Sequence, residues 1–230
     1  MLIWFKASNF RSISDQIELD LRRTALKGQD NHWVNINEIP LLLSAVFYGA
    51  NASGKSNVLR ALKAMEYLVL RSADFKPGEE IRPYEPFRLD PARQDAPVEL
   101  KMAFLADGVR YEYAISFSRS AILSERLDCL PHGFRKLLFS RSEDQPIQFG
   151  DSYRGGKRTI EQLLLPNQLF LSKAAENNVE ALIPVYQFFA RHLIVYPFMA
   201  NHHESSLSRL YARRLAEDAH SPFSRRLNAL

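Results

Sequence analysis

Residues 49–57 read Gly-Ala-Asn-Ala-Ser-Gly-Lys-Ser-Asn, which satisfies the spacing G-x-x-x-x-G-K-[ST] without a mismatch. The apolar run Leu41 to Tyr48 precedes it, and Val58, Leu59, Leu62, Met65 and Val69 follow at three- and four-residue steps. This order predicts a buried strand, a glycine loop and an amphipathic helix of about four turns. Gly49 and Gly54 allow the backbone to close round an anion without a Cβ in the way, so the N–H groups of Ala50, Asn51, Ala52, Ser53, Gly54, Lys55, Ser56 and Asn57 can be turned toward phosphate oxygens. Lys55 supplies a mobile cation for the β- and γ-phosphates, the Ser56 hydroxyl suits Mg²⁺, and the helix start adds its positive end. The ligand implied is a nucleoside triphosphate such as ATP.

The chain has 230 residues, 46% of them hydrophobic, enough to bury a full core. No apolar run is long enough to span a bilayer, and Leu2 to Phe5 begins a strand-like alternation rather than a signal sequence. A single cysteine, Cys129, excludes an internal disulfide and fits a reducing compartment, so the expected location is the cytoplasm. Cys129 itself reads as a small apolar residue on a strand. The formal charge of +4 is too small to announce nucleic acid. Two clusters are more one-sided: Arg135, Lys136, Arg141, Arg154, Lys157 and Arg158, and Arg209, Arg213, Arg214, Arg225 and Arg226. Such clusters are either solvated faces or contacts for DNA phosphates.

Taken in order, Leu2–Phe10 and Gln16–Arg22 read as an antiparallel pair of strands, and residues 25–40 as an exposed excursion. Prolines at 77, 83, 86, 91 and 97 make residues 75–97 an irregular connector. Val98 to Phe104 and Val109 to Phe117 alternate on either side of Asp107-Gly108, the signature of a hairpin. Ile122–Leu130 and Lys136–Arg141 continue as strands, so an antiparallel sheet is inserted after the phosphate-binding helix. A short helix over 159–165, a short strand over 169–171, a helix over 176–190 interrupted at Pro184, a strand over 193–196 and an amphipathic helix over 205–219 complete the reading. The expected division is 1–74 for the N-terminal strands, loop and first helix, 75–165 for the connector and β subdomain, and 166–230 for a return to the core.

Other polar groups are less constrained by their spacing. Asn9 and Arg11, in Asn9-Phe10-Arg11-Ser12, either return beside the phosphate loop, with Arg11 on a phosphate, or form an ordinary strand end. His202-His203-Glu204 has no third ligand at a metal-binding interval and reads as a surface loop. Glu125 and Asp128 have no partner that defines a catalytic carboxylate pair. No apolar strand ends in the acidic residues that a P-loop NTPase uses to hold Mg²⁺ and activate water, so no catalytic residue is identified.

These motifs together resemble the SMC/RecF/OLD-like branch of ABC-type ATPases, and within it the bacterial AAA-type ATP/GTP phosphatases of abortive infection and phage defence. The resemblance rests on Asn9-Phe10-Arg11-Ser12, the ending Gly-Lys-Ser-Asn at 54–57, and Tyr84-Glu85-Pro86-Phe87-Arg88-Leu89-Asp90. Arg110-Tyr111-Glu112-Tyr113, Leu138-Phe139-Ser140-Arg141 and Asn167 to Ser172 extend it. It implies an α/β P-loop fold, an ABC-type ATPase lobe with an inserted antiparallel β subdomain. It also implies Asn9 and Arg11 near the nucleotide, and a glutamine loop in which Gln168 would serve the Mg²⁺ site, although Gln168 stands before the short strand instead of after it. The acidic pair and the signature sequence belong to a second half that this chain does not display, so the native polypeptide is expected to continue past Leu230. Partners implied are a second ATPase head in a homodimer or higher oligomer, an effector such as a nuclease or toxin, and DNA. A P-loop kinase is disfavoured by the β insertion; a DNA repair or recombination ATPase and a non-hydrolysing ATP-stabilised scaffold stand as alternatives.

Overall fold

A computed structural model describes residues 1–25, 30–51, 53–156 and 158–195. Seven strands form one antiparallel sheet: β1 (Leu2–Ser8), β2 (Ile17–Asp20), β5 (Val98–Ala106), β6 (Val109–Phe117), β7 (Ile122–Leu130), β8 (Lys136–Ser142) and β9 (Gln145–Phe149), in the order β2-β1-β5-β6-β7-β8-β9. A separate hairpin joins β3 (Trp33–Ile36) to β4 (Ile39–Leu42). Among the described residues the α-helices are α1 (Lys55–Arg71), α2 (Arg158–Leu163), α3 (Phe170–Glu176) and α4 (Ile183–Gln187).

The expected boundary between an N-terminal part and an inserted β subdomain runs through this sheet. β1 pairs antiparallel with β5, from Trp4 opposite Ala103 to Ser8 opposite Glu99, so the first strand is continuous with the β5–β6 hairpin. Ile3 is the extra residue of a bulge between Leu2 and Trp4. The bulge reverses its facing. Phe5 and Ala7 enter the main core, whereas Ile3 packs with Leu41, Ala103 and Leu105 in a smaller cluster, with Ile36 and Ile39 of the β3–β4 hairpin against it.

The main core lies between the sheet and the helices. Ala61, Met65, Leu68 and Val69 of α1 are fully buried there beside Leu100, Met102 and Phe104 of β5. Each of the larger aliphatic side chains contributes roughly 1.5–3 kcal/mol by leaving water. The last helical turn among the described residues, Phe188–His192, is π-helical. Its wider winding turns two consecutive rings inward: Phe188 stacks on Phe104 with centroids 4.1 Å apart, and Phe189 meets Tyr113 edge-on at 6.1 Å.

Several elements follow the sequence signals closely. The β5–β6 turn has φ 47° at Asp107 and 75° at Gly108, the paired left-handed residues of a tight hairpin. The expected helix over 176–190 is corrected: α3 ends at Glu176 and α4 begins at Ile183, with Pro184 in its first turn, where its missing N–H costs nothing, so the proline starts a helix and does not interrupt one. Four further expectations are corrected. Residues 169–171 lead into helix α3, which begins at Phe170. The expected excursion over 25–40 contains a hairpin whose turn residues Asn37 and Glu38 both have positive φ. Among the described residues of the expected 193–196 strand, Leu193 to Val195 form no strand. Finally, the apolar run Leu41–Tyr48 is not one buried strand: Leu41 and Leu42 belong to β4, while 43–48 are irregular, with Val46 80% and Tyr48 91% exposed.

Candidate nucleotide-binding site

The glycine loop sits at the start of α1, as its spacing requires. Gly54 occupies the N-cap in a left-handed conformation, φ 89°, and no side chain caps the helix. The N–H groups of Lys55 and Ser56 are therefore left to a ligand, whereas Asn57 N donates to Gly54 O at 2.8 Å, and no acidic side chain in that turn opposes an anion. A Cβ at Gly54 would lie 2.8 Å from Ser12 Oγ, so both the φ and the neighbour demand glycine. Gly49 is extended toward positive φ, at 152°, with Ser53 Oγ 3.4 Å from where its Cβ would be. This loop and uncapped helix fit a phosphate group.

Lys55 Nζ folds back on the loop and donates to Gly49 O at 2.8 Å and Ala50 O at 2.6 Å. Phosphate oxygens are stronger acceptors for an ammonium than neutral carbonyls, so a bound triphosphate would draw Nζ away from the loop. Ser56 is exposed on the first turn of α1, free to meet a metal ion. Asn51 and Ser53 are exposed on the loop; Ala52 lies outside the described residues. Asn57 Nδ2 donates to Ser12 Oγ at 2.6 Å. A cleft of about 480 Å³ opens beside the loop, between Ser53, Gly54 and Lys55 on one side and Ser12, Asp15 and Glu18 on the other.

Asn9 and Arg11 serve the fold next to this cleft. The Asn9 amide is buried; it donates to Ala96 O at 2.8 Å and to Arg93 O and Pro97 O at 3.1 Å, and its Oδ1 accepts from Phe87 N at 3.1 Å. Its hydrogen-bonding capacity is thus spent on the connector 75–97, which is pinned by it. Arg11 pairs with Glu85, and its backbone N–H donates to Glu85 O at 2.7 Å. The residue of that motif that reaches the loop is Ser12, which sequence reasoning passed over.

Gln168 is not at the metal position. Its Nε2 donates to Ala73 O at 2.9 Å and Phe75 O at 3.0 Å, just beyond the C-terminal end of α1, and Oε1 accepts from Leu165 N at 3.2 Å. Since the phosphate loop is at the N-terminal end of the 17-residue α1, Gln168 lies roughly 25 Å from it. Among the described residues no group of three His, Cys, Asp or Glu side chains is placed to hold a metal. His202, His203 and Glu204 lie outside the described residues.

Glu125 has partners that spacing alone could not reveal. It is fully buried and accepts the N–H groups of Phe170 at 2.6 Å and Leu171 at 2.9 Å, together with Tyr113 Oη–H at 2.8 Å. Burial pushes its carboxyl up, against the opposing pull of Arg141 and these donors. Arg141, lowered chiefly by burial, donates to Gln168 O at 2.6 Å. Ser72 Oγ accepts from Leu169 N and Ser172 Oγ from Ala73 N. The motif residues Tyr113, Arg141, Gln168 and Ser172 thus tie the sheet, the start of α3 and the end of α1 into one polar network.

In the first basic cluster Arg135, Arg141 and Arg154 are paired, while Lys136 is exposed at the start of β8. Arg135 is bound to Glu112 and lies 3.5 Å from Asp128, Arg141 is inside the network, and Arg154 Nη1 donates to Asp151 O at 2.7 Å. Lys157 and the second cluster lie outside the described residues. Cys129 is buried on β7 and its thiol is pushed up by burial, as expected of an inert apolar position. No helix among the described residues is long and apolar enough to cross a membrane.

A family model described as "AAA domain, putative AbiEii toxin, Type IV TA system" matches residues 44–226. That span includes the whole glycine loop, α1, the connector and β5 to β9. No curated protein matches the chain.

Proposed function

The chain belongs to this AAA-domain family, and from that premise we propose that it is the ATP-binding lobe of an ABC-type ATPase whose nucleotide-gated association controls a partner effector in anti-phage defence. The observation that carries the ATP reading is the uncapped start of α1 behind a loop held open by Gly54, with Lys55 bonded to loop carbonyls that a phosphate can replace. Phosphates would meet the N–H groups of Lys55 and Ser56, Lys55 Nζ would exchange its carbonyl partners for phosphate oxygens, and the Ser56 hydroxyl would hold Mg²⁺. Bound Mg²⁺ neutralises phosphate charge and polarises the terminal phosphoryl group.

In this reading, hydrolysis requires an acidic residue for Mg²⁺ and water, and a signature sequence, both supplied by further sequence or by another chain. The exposed apolar segment leading into the loop, with Val46 and Tyr48 nearly bare, supports it. Such a run beside a phosphate site is suited to being covered when ATP brings lobes together, as a homodimer or on an effector such as a nuclease or toxin. The pairing of Arg135, Arg141 and Arg154 within the fold favours a protein partner over DNA.

The test is Mg-ATP binding and turnover by the 230-residue chain, beside Lys55→Ala. Binding that Lys55→Ala abolishes, with no turnover, is the expected result. Binding that persists unchanged in Lys55→Ala would overturn the site, and turnover by the wild-type chain alone would overturn the need for outside residues.

A further inference from the structure

At the mouth of the phosphate loop three side chains form a directed chain of hydrogen bonds. Arg60 Nη1 donates to Asn57 Oδ1 at 3.3 Å, which turns the Asn57 amide so that its Nδ2 faces Ser12. Nδ2 then donates to Ser12 Oγ at 2.6 Å. A serine hydroxyl has one proton to give and two acceptor positions. Asn57 uses an acceptor position, and among the described hydrogen bonds nothing receives the proton.

Where that proton can go is set by the fold. Ser12 lines the cleft with Ser53, Gly54 and Lys55, and its Oγ is only 2.8 Å from where a Cβ on Gly54 would stand. The turn that carries it is held from both sides. Phe10 N donates to Ile13 O at 2.9 Å, Arg11 N to Glu85 O at 2.7 Å, and Asn9 is buried in the connector. Arg11 has φ 53°, a left-handed conformation that the turn maintains to deliver residue 12. Ser12 is exposed, so in the free chain its proton is given to water, and a phosphate held by the loop would replace that water as a stronger acceptor.

We propose that Ser12 is a phosphate-binding residue, donating its hydroxyl proton to a phosphate oxygen of the nucleotide held by the glycine loop, with Asn57 and Arg60 aligning it. The chain Arg60, Asn57, Ser12 points every donor toward the cleft, so each bond polarises the next. This assignment rests on the ATP-binding reading and adds a contact from outside the loop, supplied by the turn after β1. It also explains the second Asn of the loop, because Asn57 sits after the Lys-Ser pair, where its amide reaches Ser12.

Calorimetric titration of Mg-ATP into the wild-type chain, Ser12→Ala, Ser12→Thr, Asn57→Ala and the double variant tests this, with Lys55→Ala as the control for the site. Loss of a hydrogen bond to a charged group predicts that Ser12→Ala weakens binding roughly tenfold or more, while the melting temperature stays that of the wild type. Ser12→Thr keeps the hydroxyl and restores most of the affinity. In the Asn57→Ala background, removing the Ser12 hydroxyl still weakens binding, because the hydroxyl meets the phosphate itself. Wild-type affinity in Ser12→Ala, or no further loss in the double variant, overturns the assignment while leaving the ATP site standing. Absence of binding by the wild-type chain overturns both.

Discussion

The carboxylate of Glu125 accepts the backbone N–H of Phe170 at 2.6 Å, joining the middle of β7 to the first residue of α3 across 45 positions of sequence. Its second contact to that helix, Leu171 N, makes Glu125 the cap that α3 lacks within its own sequence, for Leu169 at the N-cap offers no side-chain oxygen. Neither donor has an alternative acceptor in this buried place.

Replacing Glu125 by Gln therefore leaves one amide N–H group facing an N–H donor. The expected cost is roughly 1–3 kcal/mol for a buried polar group deprived of its partner. A fall in the urea midpoint for Glu125→Gln is the predicted reading. Tyr113→Phe removes a single donor from the same carboxylate and should cost less. An unchanged midpoint in Glu125→Gln would mean that the cap does not hold α3.

Glu66 predicts how stability varies with pH. It is buried on α1 and its carboxyl is pushed up by desolvation, with Lys63 opposing the shift. A carboxyl raised in the folded state stabilises the fold below its ordinary value of 4.5, and that contribution is lost as pH climbs through the folded value. Glu66→Gln removes the titration. Its denaturation midpoints at pH 5 and pH 7.5 should lie closer together than those of the wild type, and an unaltered difference would place the pH dependence elsewhere.

How much of this was legible in the sequence depends on how local the signal is. The glycine loop, the Asp107-Gly108 hairpin and β7 are each written in a short window, and they stand where the pattern puts them. What required the fold is long-range. Nothing near Trp4 shows that its neighbour is Ala103, and nothing near Ile3 shows that a bulge reverses it. Phe170 to Leu171 is an apolar run of a kind that strand and helix share, and the Glu125 cap that favours helix lies far away in sequence. Asn9 invited a ligand role because its type suits phosphate; its burial under the connector assigns it instead to backbone carbonyls. Gln168 is a similar case, with a side chain that closes on Ala73 and Phe75.

Gly54→Ala should separate the binding site from the fold. Its φ of 89° strains any other residue, and the added methyl meets Ser12 Oγ at 2.8 Å. The stability cost of a non-glycine residue at positive φ is about 1–3 kcal/mol, small beside the loss of a cradle that must open to hold phosphate. Loss of ATP binding by a chain that still melts cooperatively is the expected outcome. Binding equal to that of the wild type would show that the loop does not approach the ligand as its geometry indicates.

The two halves of the apolar run before the loop should respond oppositely to mutation. Leu41, on β4, is fully buried in the cluster with Ile3, Ala103 and Leu105. Truncation to Ala there leaves a cavity and costs roughly 2–5 kcal/mol. Val46, only five positions on, is 80% exposed, and Tyr48 is 91% exposed. Val46→Ser and Tyr48→Ser remove apolar surface that the isolated chain does not bury, so each should change stability by no more than about 0.5 kcal/mol. Under ATP, the same two variants should weaken association of the chain with itself or with its effector, read by sedimentation velocity, because the surface they alter is then covered. If Val46→Ser lowered the melting temperature of the isolated chain as far as Leu41→Ala does, the segment would be buried already and could not serve as the surface that nucleotide brings together.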